Sequence, residues 1–64
     1  MLDICEVEGV GDYFYFLVSE ETEIVIASIV EAKVGDRVYL GRNTYEIKEI
    51  EFEKNDTRLK LRRI

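Results

Sequence analysis

Apolar and polar residues alternate along most of this chain, which is the pattern of β-strands with one buried side. The alternation predicts strands at 2–8, 13–19, 37–40 and 44–53, and a further strand from 57 to the end. Turn-forming residues separate these strands at 9–12, 34–36, 41–43 and 55–56. We therefore predict an all-β fold in a single domain that spans residues 1–64.

The positions of the turns predict three hairpins with apolar residues opposite one another. In the first hairpin, Val7 is expected opposite Phe14 and Cys5 opposite Phe16. In the second hairpin, Leu40 is expected opposite Tyr45 and Val38 opposite Ile47. In the third hairpin, the expected pairs are Phe52 with Leu59 and Ile50 with Leu61. Such agreement among independent hairpins is typical of sequences that specify one fold.

The third hairpin also predicts a ladder of opposite charges. Its register sets Glu53, Glu51 and Glu49 opposite the basic residues of the last strand, which are Arg58, Lys60 and Arg62. Opposite charges across a strand pair stabilise a sheet by about 0.2–1 kcal/mol each. We call this set of carboxylates and cations the charge ladder.

The apolar alternation changes phase within the predicted strand 44–53. Tyr45 and Ile47 follow one parity, whereas Ile50 and Phe52 follow the other, so a β-bulge is expected near Lys48-Glu49. A bent strand shared by two hairpins lets a small sheet curl. We predict a small antiparallel, partly open β-barrel of five or six strands.

Residues 20–33 have two interpretations. Ser19 followed by acidic residues, with Lys33 and Gly35 at the far end, is compatible with a capped helix. The β-branched residues among 24–30 favour a strand over 23–30 instead. We adopt the strand and pair it with the preceding one. With Glu20-Glu21 as the loop, Leu17 faces Ile24 and Tyr15 faces Ile26.

The first three predicted strands are apolar on both sides. One side, predicted to face inward, contains Cys5, Val7, Phe14, Phe16, Val18, Val25 and Ala27. The other contains Ile4, Tyr15, Leu17, Ile24 and Ile26, and we predict that this set forms a protein interface. The simplest partner is a second copy of the chain, which would also stabilise so short a domain. The alternative is that residues 28–33 fold back over this side.

Charge divides the chain into two halves. Residues 1–32 contain eight acidic side chains and no Lys or Arg, whereas residues 33–64 contain nine basic and six acidic ones. Four of the basic residues, Arg58, Lys60, Arg62 and Arg63, end the chain and suggest nucleic-acid binding as an alternative function. The charge ladder would neutralise most of them, so we favour protein association.

Nothing in the sequence has the pattern of a catalytic, metal or cofactor site. The chain lacks His, so it has no Ser-His or Cys-His pair, and Cys5 alone cannot complete a zinc site. We expect a non-enzymatic protein without a cofactor. No apolar run approaches the ~20 residues of a membrane span. The free thiol and the absence of an export signal predict a cytoplasmic protein without a membrane partner.

Residues 33–41 (KVGDRVYLG) and 45–51 (YEIKEIE) resemble a known pattern. It is the Val-Gly-Asp, strand, turn, strand pattern of the second-domain β-barrel of translation GTPases. The stretch is also similar to small archaeal barrels of the oligonucleotide-binding kind. The resemblance implies a binding module, often one that acts near the ribosome or RNA. Because it matches turns and core positions, it assigns no functional residue.

Overall fold

The computed structural model, which describes residues 3–19 and 22–64, is an antiparallel β-barrel of six strands over those residues. The strands are β1 (Asp3–Val7), β2 (Gly11–Ser19), β3 (Glu23–Ile26), β4 (Arg37–Leu40), β5 (Asn43–Glu53) and β6 (Asp56–Arg63). The all-β prediction is confirmed. The barrel is closed in the order β1-β2-β3-β6-β5-β4, whereas we predicted a partly open one. Pairing of β4 with β1, for example Leu40 with Cys5, completes the closure.

The barrel interior is filled by alternate apolar side chains from every strand except β2, together with residues of the β3–β4 connection. The buried apolar residues are Cys5, Val7, Ile24, Ile26, Val30, Ala32, Val38, Leu40, Tyr45, Ile47, Leu59 and Leu61. Tyr13 and Tyr15 of β2 pack against this core while staying half-buried. Burial of one aliphatic side chain contributes about 1.5–3 kcal/mol, so these residues account for most of the driving force for folding.

The hairpins of the second half differ from the predicted registers by an even number of residues. Leu40 pairs with Asn43 and Val38 with Tyr45, because the β4–β5 loop is Gly41-Arg42, one residue earlier than expected. The β5–β6 loop is likewise one residue early, so Ile50 rather than Phe52 faces Leu59. A shift of two residues leaves each side chain on the same side of the sheet. The predicted inward residues of this half therefore stay inward, apart from Phe52 near the end of β5, which is exposed.

The first hairpin differs by an odd number, and the consequence is larger. Cys5 pairs with Tyr13 and Val7 with Gly11, which is three residues away from the predicted register. The backbone N–H of Val10 donates to Val7 O over 2.9 Å, and Gly9 has a φ of 78° inside this tight turn. Positive φ favours glycine, which explains why the turn forms there. Because the shift is odd, the β2 residues predicted to face inward, such as Phe14 and Phe16, face outward instead.

The predicted β-bulge is confirmed. The register between β5 and β6 shifts between Ile47 and Glu49, next to Lys48. Tyr45 and Ile47 are buried before the bulge, and Ile50 is partly buried after it. The extra residue lets one long strand keep its apolar side inward while it bends around the barrel.

Of the described residues 22–33, only a short segment forms a strand. The strand prediction is confirmed over Glu23–Ile26 and is wrong from residue 27 onward, where the chain crosses irregularly to β4. Val30 is fully buried, and its N–H donates to Thr57 Oγ1 over 2.9 Å. The Thr57 hydroxyl donates in turn to Ser28 O over 2.7 Å. Buried hydrogen bonds thus direct this connection inward. The predicted Glu20-Glu21 loop, which precedes β3, lies outside the described residues.

Candidate binding surface

One side of the barrel carries apolar side chains on its outer surface. We define the apolar face as Ile4 of β1, Phe14, Phe16 and Val18 of β2, Val25 of β3 and the adjacent Ala27. Phe14 is 59% exposed and Phe16 53%. Ile4 pairs with Phe14 and Phe16 with Val25, so the set is contiguous. Its exposed apolar area is on the order of several hundred Å², about the largest that a monomeric protein usually shows.

The apolar face contains a groove. It has a volume of about 360 Å³ and is lined by Ile4, Asp12, Tyr13, Phe14, Ala27 and Ser28. Sites for small molecules usually measure about 300–1,000 Å³. A groove at the lower end of that range suits a single large side chain.

The charges beside the groove are negative. Asp12 lines it, and Glu6 is the register partner of Asp12 on the same side of the sheet. Both carboxylates are exposed, and neither forms a salt bridge with any residue that the structure describes. Nearby, Glu8 accepts a hydrogen bond of 2.6 Å from the Tyr39 hydroxyl, which raises the pKa of that phenol.

The predicted interface residues fall on both sides of the sheet, so the predicted interface is wrong as a set. Ile24 and Ile26 are 0% and 1% exposed inside the barrel. Tyr15 packs against the core, and burial together with the nearby Asp3 carboxylate raises its pKa. Ile4 and Leu17 are exposed as expected. The predicted pairs Leu17–Ile24 and Tyr15–Ile26 are correct, but Ile24 and Ile26 face the barrel interior instead of the outside.

The sequence contained a signal for the residues that do form the apolar face. Residues 13–18 are apolar without interruption, so β2 offers an apolar side in either orientation. Phe14, Phe16 and Val18 were predicted to face inward and are in fact exposed. Val25 is partly exposed and Ala27 is exposed, which reverses the prediction for them as well. An uninterrupted apolar strand in so small a barrel indicates an exposed apolar surface, but not which residues form it.

The basic residues of β6 are engaged in the charge ladder. Arg58 Nη1 lies 2.8 Å from Glu23 Oε2, and its Nη2 lies 3.7 Å from Glu53. Lys60 Nζ lies 4.0 Å from Glu49. Arg62 contacts Glu46 instead of its predicted partner Glu49, and Glu51 pairs with Arg58 rather than with Lys60. The ladder therefore exists in a register two residues from the predicted one.

Arg63, the last of the four candidate nucleic-acid residues, donates from Nη2 to Asn43 Oδ1 over 3.0 Å. Together, Arg58, Lys60, Arg62 and Arg63 all have polar partners within the chain. A phosphate group would have to compete with these partners. This lowers the positive potential that nucleic acid would meet along β6.

Cys5 lies inside the barrel and is fully buried. Burial raises the pKa of its thiol from 9.0 to about 11, with a smaller contribution from the Asp12 charge. Because the thiolate is the reactive form, this thiol is protonated near neutral pH and is shielded from reagents. Its environment is that of a core residue.

Within residues 3–19 and 22–64, no group of three or more Cys, Asp or Glu side chains is arranged to hold a metal ion. Over the same residues, the structure contains no helix that is long and apolar enough to cross a membrane.

Comparisons with protein-family models, with curated proteins and with solved structures found no match for this chain.

Proposed function

We propose that this protein is a non-catalytic binding module that associates with another polypeptide chain through the apolar face. The observation that carries the proposal is the exposure of Phe14 and Phe16 beside Ile4 on one contiguous surface. Exposed apolar patches of this size mark interaction sites in soluble proteins, because exposing them to water is unfavourable.

The area of the apolar face indicates the strength of association. Stable complexes bury about 800 Å² on each partner, which is more than this face exposes by itself. A module that binds through such a face forms weak or transient complexes unless the partner also contacts its surroundings. The partner is another protein or, as predicted from the apolar pattern of the first three strands, a second copy of the chain.

Nucleic-acid or ribosome-associated binding, the alternative from the sequence, receives less support. It would use Arg58, Lys60, Arg62 and Arg63, and these side chains already have partners in the chain. The acidic residues of the first half would also repel phosphate. Nucleic-acid affinity would fall steeply with salt, whereas apolar association would not.

Nuclear magnetic resonance on isotope-labelled protein tests the proposal directly. The probes are unlabelled protein at rising concentration and a synthetic helical peptide with Leu along one face and Gln elsewhere. We expect the methyl and ring signals of Ile4, Phe14 and Phe16 to shift with at least one probe. Phe14→Lys should weaken that binding at least about tenfold, as expected for a central aromatic anchor.

Phe52→Lys is the matched control, because Phe52 is exposed to the same extent, 58%, in a strand outside the apolar face. It introduces the same charge and should leave binding unchanged. If neither the peptide nor a second copy at high micromolar concentration perturbs Ile4, Phe14 and Phe16, the proposal is wrong.

A further inference from the structure

The charges around the apolar face distinguish among its possible partners. Glu6 and Asp12 occupy the end of the face at which β2 begins, and Asp12 lines the groove itself. These carboxylates lack a cationic partner among the residues that the structure describes. By contrast, Glu23 on β3 and Glu46, Glu49 and Glu53 on β5 each have a cationic partner on β6.

We infer that the apolar face binds a basic amphipathic segment of another protein, in which apolar side chains contact Ile4, Phe14 and Phe16 and a Lys or Arg lies beside Asp12 and Glu6. The inference rests on the proposed function and adds the chemistry of the partner. Complementary charge at the rim of an apolar contact selects partners and speeds their encounter.

A second copy of the chain fits this surface less well. Each copy carries a net charge of −5, so two copies repel each other over several ångströms. On β6, beside the apolar face, Arg58 pairs with Val25 in the sheet but is bound to Glu23. A second copy would therefore offer Asp12 and Glu6 no free cation from that strand.

The groove and its carboxylate also match the two parts of such a segment. The groove, which Phe14 and Ala27 line, has room for one large apolar side chain of the segment. Asp12 lies at the same groove, within reach of a cation carried by a neighbouring residue of the segment. In a helical segment, an apolar residue and a basic residue three or four positions apart lie on the same side. Such a pair would place the apolar side chain in the groove and the cation beside Asp12 at the same time.

The test uses three synthetic peptides with the same Leu face, whose other positions are all Lys, all Gln or all Glu. Binding to the intact protein is measured by fluorescence anisotropy at low and at physiological salt. We expect the Lys peptide to bind tightest and the Glu peptide weakest, and salt to reduce the difference. Phe14→Lys should abolish binding of the Lys peptide, whereas Phe52→Lys should weaken it only slightly.

Asp12→Asn should lower the affinity for the Lys peptide by roughly two- to fivefold, as expected when an exposed ion pair is lost. The affinity for the Gln peptide should stay unchanged. Glu49→Gln is the control, because it removes the same charge from the ladder, away from the groove. Equal loss in both variants would indicate attraction to overall charge and would overturn the inference.

The failure of this inference can be separated from that of the proposed function. If the Gln peptide or a second copy binds the apolar face as tightly as the Lys peptide, the basic partner is wrong and the binding module stands. If Phe14→Lys leaves Lys-peptide binding intact, the peptide binds elsewhere and the inference is wrong. If no probe binds the apolar face, both proposals are wrong.

Discussion

The outer surface of the barrel has two contrasting regions. On β1, β2 and β3 the outward positions are apolar, with Phe14 and Phe16 more than half exposed. On β5 and β6 the outward positions carry the charge ladder, in which opposite charges lie across one strand pair. Both regions cover the same apolar interior, so the difference between them does not arise from the needs of the core.

The stability of the folded barrel explains the residues of the charge ladder but not those of the apolar face. Residues of the charge ladder interact with one another and remain hydrated, as expected of a surface that faces water. The apolar face has no such explanation within the chain. At an exposed position such as Phe14, a polar side chain would contact water at a lower cost in free energy. For this reason we assign binding to the apolar face.

The largest expected effect distinguishes inward from outward positions of the same strand pair. Ile26→Ala should lower the free energy of unfolding by about 2–5 kcal/mol, because it leaves a cavity in the core. Phe14→Ala should change it by no more than about 0.5 kcal/mol, because its side chain is exposed. Urea unfolding of both variants measures the difference. Equal losses would contradict the orientation of β2 and β3.

The pH dependence of stability sharpens the contrast between the interior and the surface. The thiol of Cys5 has a pKa of about 11 in the folded protein and near 9.0 when exposed. Between these values the unfolded state has lost the proton that the folded state keeps. The free energy of unfolding should therefore fall by up to about 2–3 kcal/mol as the pH rises from 9 to 11.

Urea unfolding at several pH values measures this change, with Cys5→Ala as the control. The variant should lose the thiol contribution to the slope between pH 9 and 11, whatever its stability at neutral pH. An identical slope in both proteins would show that ionisation of Cys5 does not contribute.

Thr57 of β6 holds the connection between β3 and β4 in place. Thr57→Val should lower the free energy of unfolding by about 1–3 kcal/mol, because the N–H of Val30 and the carbonyl of Ser28 both lose their partner. Thr57→Ser retains the hydroxyl and should cost less. Thermal unfolding compares the two variants, and a loss in Thr57→Ser as large as that in Thr57→Val would show that the methyl group contributes as much as the hydroxyl, contrary to this prediction.

The smallest effect concerns the charge ladder. A double-mutant cycle on Glu49 and Lys60, with each replaced by Ala, should give a favourable coupling of about 0.2–1 kcal/mol. The coupling should decrease at high salt, because both side chains are more than half exposed. A cycle on Glu51 and Lys60 should couple less, because Glu51 pairs with Arg58. A stronger coupling for Glu51 would favour the register predicted from the sequence.

Much of the second half of the molecule could be predicted from sequence alone. The strand Arg37–Leu40, the bulge near Lys48 and an ion-pair ladder between the last two strands all follow from alternation and turn residues. Placing each loop one residue too late shifted the registers by two. An even shift keeps side chains on the same side, so the predicted orientation was insensitive to the error.

Only the tertiary structure decided the orientation of β2 and β3, and with it the candidate binding surface. Residues 13–18 are apolar at every position, so alternation cannot distinguish one side of β2 from the other. The tight turn at Gly9 set a register three residues from the predicted one, and an odd shift reverses every side chain. Barrel closure then places Ile24 and Ile26 inside against Leu59 and Thr57, their partners on β6. Sequence thus determined that this part of the barrel has an apolar surface, and long-range strand pairing determined which residues form it.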